Sequence, residues 1–202
     1  MDNIKQKIKL LIACVLIVFC GANVVRSIRA SAASHDYLAV KFGRFQGTAM
    51  QVPPIRNFSE ASSLARRANE RYPANYYFYA YVAGLALAEA TAAEDHASYE
   101  SNLRQALYFS KYALEMNPYN EEIRHIYVEA LAEDGRVGEA ISYWRENVVD
   151  REFWVGINQD MFASLLLRSR NPADLTEAAQ MEPLVRDADL RKRIAALKKS
   201  LK

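Results

Sequence analysis

Cysteine is absent from most of this sequence. Both cysteines, Cys14 and Cys20, lie in an apolar N-terminal stretch, and none follows them. A disulfide framework or a four-cysteine metal site is therefore excluded from the rest of the chain. A domain without cysteine is compatible with either side of a membrane, so the redox compartment stays open.

Glycine and proline are also scarce, with seven and six in 202 residues. Turn formers are too few for an all-β sandwich, and a hydrophobic content of 51% is too high for a disordered chain. A mostly helical domain with a short additional segment is expected. The net charge of +2 gives no general affinity for polyanions, and we expect no nucleic acid partner.

Signatures of catalysis are missing too. There is no nucleophile motif and no glycine-rich phosphate loop. The three histidines are far apart, and no two have metal-ligand spacing: His35, His96 and His125. His125, close in sequence to Glu121, Glu122 and Glu129, could act as a general base or weak metal ligand, but ordinary hydrogen bonding is the preferred interpretation. We therefore expect no enzyme, no cofactor and no metal.

The N-terminal segment predicts a membrane helix. A basic stretch, residues 1–9 with three lysines, precedes a run over 10–25 that has no charge. A spanning helix needs about 20 residues, with roughly 17 at the low end, and residues 10–26 suffice if Lys9 and Arg26 extend toward the headgroups. The principal anchor residues are Leu10, Leu11, Ile12, Val15, Leu16, Ile17, Val18 and Phe19.

Other interpretations of this segment stay open. A cleaved secretory signal is the main alternative, because Ala30-Ser31-Ala32 has the small-x-small form of a cleavage site, although Arg26 and Arg29 intervene. A lipoprotein at Cys14 has too few apolar residues before it, and a core helix is the last alternative. The N-terminal lysines favour a cytoplasmic N-terminus and a C-terminal domain outside, periplasmic if the cell is bacterial.

The chain repeats itself. Alanines and a proline recur at the same two intervals, as Ala61, Ala68 and Pro73 and again as Ala106, Ala113 and Pro118. Small residues seven apart lie on one helix face and allow a close neighbour. The proline then ends the helix, and Asn75 or Asn120 caps the next one.

Residues 118–144 give the clearest pair of amphipathic helices. An apolar stripe ends at Gly135, a residue suited to a left-handed turn, and a second stripe begins at once. The two stripes consist of Ile123, Ile126, Tyr127, Ala130 and Leu131, and of Val137, Ala140, Ile141 and Trp144. Helices joined so closely must pack antiparallel, because neither buries its stripe alone.

These motifs resemble the tetratricopeptide repeat (TPR) family, in its membrane-anchored bacterial type. The matching residues are Asn117-Pro118-Tyr119-Asn120, Gly135-Arg136, Glu139-Ala140-Ile141, Trp144 and, after Pro73, Tyr79, Ala83 and Ala86. The resemblance implies an all-α fold, a short right-handed α-solenoid of antiparallel helix pairs. Arg124 and Val128 depart from the pattern, and Asn147 and Glu152 mark a decaying last unit. The separation between Pro73 and Pro118 along the chain is longer than the family's period of about 34 residues. This difference predicts longer helices around the Thr91–Ser101 turn.

The predicted organisation follows from these patterns. A juxtamembrane helix and linker occupy 27–56, with a helix at 35–45 that could continue the anchor and a linker at 47–55. TPR-like repeats occupy 57–151, and a degenerate repeat with a basic capping helix occupies 152–202. The predicted helices are 57–72, 76–94, 99–116, 121–134, 137–149, 157–170, a short one that stops near Pro183, and 184–200. Asn171 is predicted to cap the short helix, with Pro172 at its first position.

The resemblance places ligands in a concave groove lined by the first helix of each repeat. Helical spacing places the following residues in this groove: Tyr77, Ala80, Gly84, Glu122, His125, Glu129 and Glu133. Tyr81 is expected to lie beside them and to be partly exposed. The expected partner is an extended or helical peptide with basic and apolar residues. The alternative is that the glutamates form a solvated face.

The C-terminal helix is the second candidate surface. Its apolar stripe is flanked by Arg191, Lys192, Arg193, Lys198, Lys199 and Lys202. Such a helix binds anionic lipid or an acidic partner, or it is the polar cap that ends a solenoid, which is the preferred interpretation. The whole pattern predicts a membrane-tethered adaptor of cell-envelope complexes. The alternatives are a soluble binding protein released after Ala32 and, less favoured, an enzyme with a site in the groove.

Overall fold

The computed structural model describes residues 2–43, 58–149 and 156–200. Over these ranges it contains nine α-helices and no strand, so the predicted all-α fold is confirmed. The helices are α1 (Asp2–Gly43), α2 (Phe58–Arg71), α3 (Tyr76–Thr91), α4 (His96–Met116), α5 (Glu121–Glu133), α6 (Val137–Asn147), α7 (Gly156–Arg168), α8 (Pro172–Gln180) and α9 (Ala188–Ser200). The linker predicted at 47–55 lies outside the described residues.

Helix α1 is one continuous helix that joins the predicted anchor to the juxtamembrane helix. Its stretch Leu10–Ser34 is long and apolar enough to cross a membrane, by length and composition, and residues 10–29 of it are all exposed. A signal sequence meets the same criterion. All eight predicted anchor residues are more than half exposed, from Ile12 at 54% to Ile17 and Val18 at 71%.

Backbone contacts divide the chain into two compact units, Met1–Val82 and Ala83–Lys202. In the first unit, α1 packs against α2. The buried residues Ala33, Ala68 and Phe78 form a small core, and Tyr72 packs against it. Two alanines at this contact have almost no side chain, which lets the helices approach closely.

In the second unit, successive helices from α4 to α9 pack against one another, and α5 and α9 also contact α7. The short connections 117–120, 134–136 and 169–171 force neighbouring helices into antiparallel pairs. The core contains Leu131, Trp144, Leu166 and Ile194. Leu190 and Ile194 bury the apolar stripe of α9 in this core, as a capping helix requires.

Side-chain caps fix the starts of the helices. Asn120 Oδ1 accepts from Ile123 N–H at 3.0 Å, and Asn171 Oδ1 accepts from Ala173 N–H at 3.0 Å ahead of Pro172. Both caps confirm the sequence prediction. The start predicted for α4 at residue 99 was three residues late. Asp95 caps that helix instead, since its carboxylate accepts from Ser98 N–H at 2.8 Å.

Gly135 ends α5 as predicted, with a φ of 77°. Two hydrogen bonds close the turn: Arg136 N–H donates to Leu131 O at 2.9 Å, and Gly135 N–H donates to Ala132 O at 3.2 Å. This pair of bonds is the Schellman motif, which needs a left-handed residue. The turn therefore depends on glycine at this position.

Arg124 departs from the family pattern for a local reason. Its side chain is only 3% exposed, and its Nε donates to Pro118 O at 2.8 Å. Arg191 repeats the arrangement in α9, where its Nε donates to Val185 O at 3.1 Å. In each case an arginine donates a hydrogen bond to a backbone carbonyl in the turn that precedes its own helix, and this bond joins the turn to the helix.

Candidate partner-binding site

An open cleft of about 550 Å³ lies at the N-terminal end of α5. It is lined by Asn120, Glu121, Glu122 and His125 from the start of α5 and by Ile157 from α7, and we call it the α5 cleft. Both glutamates are exposed, and Ile157 is 62% exposed although it is apolar. The cleft thus combines carboxylates with a solvent-facing aliphatic side chain.

The His125 ring is fixed from three sides. Its Nε2 lies 2.9 Å from Oδ1 of the buried Asn158 and 3.9 Å from Oε1 of Glu121. The ring packs edge-on against Trp144, with the centroids 4.9 Å apart and an interplanar angle of 89°. Since an amide oxygen only accepts, Nε2 carries a proton in this contact. His125 therefore joins α5 to α7 through ordinary hydrogen bonding.

The C-terminal half of α5 is occupied by the chain itself. Arg168 of α7 lies 2.9 Å from Oε1 of Glu129 and 2.9 Å from Oε1 of Glu133. These three side chains are only partly exposed, at 27%, 35% and 29%. Arg168 thus neutralises part of the charge expected from Glu129 and Glu133 and pairs with both side chains, which leaves Glu121 and Glu122 as the carboxylates that line the cleft.

Tyr99 of α4 contacts the same group. Its hydroxyl donates to Glu133 O at 3.0 Å and lies 3.3 Å from the Glu133 carboxylate. Burial raises the pKa of Tyr99 above its usual 10.0, and the negative charge of Glu133 adds to the effect. The contact fixes the C-terminal end of α5 to α4.

Other predicted groove residues lie elsewhere. Tyr77 and Tyr81 belong to the first unit, where Tyr77 is 47% exposed and Tyr81 is half-buried. Tyr77 stacks on Tyr76 with the ring centroids 4.1 Å apart. Ala80 is buried, so it offers little surface. In the second unit, a Cβ at Gly84 would meet Ile126 Cδ1 at 3.4 Å, an ordinary contact distance, so Gly84 lies against α5 and offers little surface.

The sequence did not point to three contributors: Ile157, Asn158 and Arg168. Asn158 and Arg168 are far along the chain from their partners on α5, and nothing local to them predicts the contacts. One signal was present. Glu129 and Glu133 are one turn apart and repel each other, so a cation between them was a reasonable expectation.

The basic residues of α9 are partly paired. Lys192 lies 2.9 Å from Asp189 and Lys198 lies 2.7 Å from Glu182, and the Lys198 hydrogen bond lowers the pKa of Glu182. Arg193 and Lys199 are exposed, and Lys202 lies outside the described residues. Within the described ranges, no group of three or more His, Cys, Asp or Glu side chains is placed to hold a metal.

Comparison with known proteins identifies the fold. No family model matches the chain, and no curated protein matches it. Among solved structures, the chain is similar to a thermophilic TPR protein of Thermus thermophilus. The TM-score is 0.57 at 21% sequence identity, over 69% of this chain and 72% of the other. The chain therefore has a TPR-like helical fold, as the repeat motifs predicted.

Proposed function

We propose that this chain is a membrane-anchored protein–protein interaction module, an adaptor in cell-envelope complexes, which binds its partner in the α5 cleft. The observation that carries the proposal is the cleft itself. Its carboxylates and the apolar Ile157 face solvent side by side, while the neighbouring helices bury other apolar side chains in the core of the second unit. A surface site on a helical scaffold, rather than the fold itself, would then provide the function, as in other repeat proteins.

The chemistry of the cleft favours a particular partner. Among the described residues, no lysine or arginine pairs with Glu121 or Glu122 as closely as Arg168 pairs with Glu129. Ile157 presents an apolar contact beside them. A peptide segment with a lysine or arginine next to an aliphatic or aromatic residue complements both features. The basic residue contributes steering and orientation, and the apolar residue contributes burial.

Retention of the apolar segment is the second part of the proposal. The bond after Ala32 lies inside α1, and Ala33 is fully buried against Ala68 and Phe78. Arg26 and Arg29 also separate the uncharged run from this bond, which is unfavourable for a cleaved signal. The segment then holds the chain in the membrane with the N-terminus in the cytoplasm and the repeats outside.

The binding site is tested by charge reversal on the full chain. A Glu121→Lys and Glu122→Lys variant is purified by affinity tag from native membranes, and co-purifying proteins are quantified. We expect a specific partner to fall by about tenfold, which corresponds to about 1.4 kcal/mol. The matched control is Glu115→Lys with Glu146→Lys, the same charge change at exposed positions on α4 and α6. Equal recovery with both variants would remove the cleft as the site.

The anchor is tested separately. We expect the full chain to pellet with membranes washed in alkaline carbonate and to retain its N-terminal residues by mass spectrometry. A soluble product that begins at Ala33 would establish the released binding protein instead.

A further inference from the structure

The first unit carries a group of arginines at the end of the apolar segment. Residues 10–29 of α1 are exposed throughout, so no described helix of the first unit lies along them. At Ala33 the helix becomes fully buried against Ala68 of α2. At 1.5 Å per residue, Arg29 and Ala33 are only about 6 Å apart along the axis. The folded unit therefore begins one helical turn after the last arginine of the apolar segment.

The direction of α2 follows from the same observations. Suppose that the N-terminal end of α2 pointed toward the apolar segment. Helix α2 would then cover residues of α1 before Arg29, but those residues are exposed. Helix α2 therefore begins beside the distal part of α1, and its C-terminal end, Arg71, is the end nearest the apolar segment. Arg71 lies about 4.5 Å beyond Ala68 along its helix, close to the level of Arg29.

By the same rise per residue, four exposed arginines lie within about 12 Å of one another along the axis of α1: Arg26 and Arg29 on α1, and Arg67 and Arg71 on α2. We call these residues the arginine collar. One exposed acidic residue, Glu70, lies among them. The chain continues from Arg71 through Tyr72 to the stacked pair Tyr76 and Tyr77. Arginine and tyrosine together are the residues that occupy the headgroup region of membranes.

We propose that the arginine collar seats the first unit directly on the anionic headgroups of the bilayer that α1 spans. The inference rests on the proposed membrane anchoring and adds a lipid-binding surface formed by α2. Guanidinium groups pair with phosphate through charge-assisted hydrogen bonds, and each basic residue near an anionic surface adds to the attraction. The unit then lies against the membrane rather than at the end of a flexible tether.

The test uses the full chain in vesicles of phosphatidylglycerol and phosphatidylcholine. Cys14 and Cys20 are replaced by alanine, and a fluorophore is attached to Ala74→Cys, in the exposed turn after α2. Quenching by a headgroup spin-labelled lipid reports contact with the bilayer. We expect strong quenching in the parent and a loss in Arg67→Glu with Arg71→Glu, where the ratio of seated to lifted chains falls about thirtyfold.

Two controls accompany the measurement. Arg186→Glu with Arg193→Glu makes the same charge change on exposed residues of the second unit and should leave quenching unchanged. Arg67→Lys with Arg71→Lys keeps the charge and should keep most of the quenching, which separates binding from misfolding. Weak quenching of the parent in vesicles of phosphatidylcholine alone would further support headgroup charge as the cause.

Carbonate washing of the same vesicles distinguishes a failure of the proposed anchor from a failure of the proposed collar. If the chain pellets but the collar reversal leaves quenching unchanged, the collar is wrong and the anchor stands. Equally strong quenching in phosphatidylcholine alone would also overturn the collar. If the chain does not pellet, both the anchor and the collar are overturned.

Discussion

Arg168 of α7 and Glu133 of α5 lie 2.9 Å apart, and the same guanidinium lies 2.9 Å from Glu129. One side chain of α7 thus pairs with two of the glutamates that sequence spacing placed in the groove. The consequence is that α5 is divided into a part used for internal packing and a part, the α5 cleft, that remains open to a partner.

We predict that Arg168→Ala lowers the free energy of unfolding by about 1–2 kcal/mol. The three side chains are about one-third exposed, so solvent screening keeps the loss modest, but Glu129 and Glu133 are left to repel each other. Urea unfolding of the full chain in detergent measures the change. Lys192→Ala removes a much more exposed ion pair and should change stability by less than about 0.5 kcal/mol. Equal effects would show that the Arg168 contacts do not support the fold.

Gly135→Ala should destabilise the second unit by about 1–2 kcal/mol, because alanine is strained at a φ of 77°. Gly138 offers a matched control, since it lies in helix α6 and an added Cβ meets nothing within 4 Å. Gly138→Ala should stabilise by up to about 1 kcal/mol. Thermal unfolding of both variants gives the comparison, and a neutral Gly135→Ala would contradict the left-handed turn.

Tyr99→Phe removes the hydroxyl that donates to Glu133 O, and we expect a loss of about 0.5–1.5 kcal/mol near neutral pH. The pH dependence should change as well. The folded-state pKa of Tyr99 is raised above 10.0, so its stabilisation is present below pH 10 and is lost as pH rises through the folded pKa. Stability of the parent should therefore fall more steeply above pH 10 than stability of the variant. Parallel curves would disprove the linkage.

Ala33→Leu should destabilise the first unit by about 1–3 kcal/mol, because the site is fully buried between Ala68 and Phe78 and has no room for three more carbons. Ser34→Leu, at an exposed neighbouring position of the same helix, should have little effect. Protease sensitivity of the chain in detergent measures both changes. Similar sensitivity in the two variants would show that α1 is not part of the folded unit.

Much of the fold could be predicted from local sequence. Caps such as Asn120 and Asn171 and the turn at Gly135 depend on residues a few positions away, so spacing alone locates them. Asp95 was missed because aspartate competes with several neighbouring polar residues as a cap. The continuity of α1 was left open, although no glycine or proline stands between Gly21 and Gly43 to mark an end.

The site was less predictable, for a physical reason. Helical spacing shows which residues share a face of α5, but it does not show what lies opposite. Ile157 reaches the cleft and Arg168 reaches Glu129 only through the packing of α7 on α5. Such contacts depend on tertiary structure, and spacing along one sequence indicates at most that a cation lies between Glu129 and Glu133, not which residue supplies it.

The most direct test of the account is site-specific photocrosslinking in native membranes. A photoreactive amino acid at Ile157, inside the α5 cleft, should give one discrete adduct with another membrane-associated protein. The same residue at Leu184, which is exposed in the second unit but does not line the cleft, should give none. The Glu121→Lys and Glu122→Lys changes should abolish the Ile157 adduct. Adducts at Leu184 but not at Ile157, or an Ile157 adduct that persists after charge reversal, would contradict binding in the cleft.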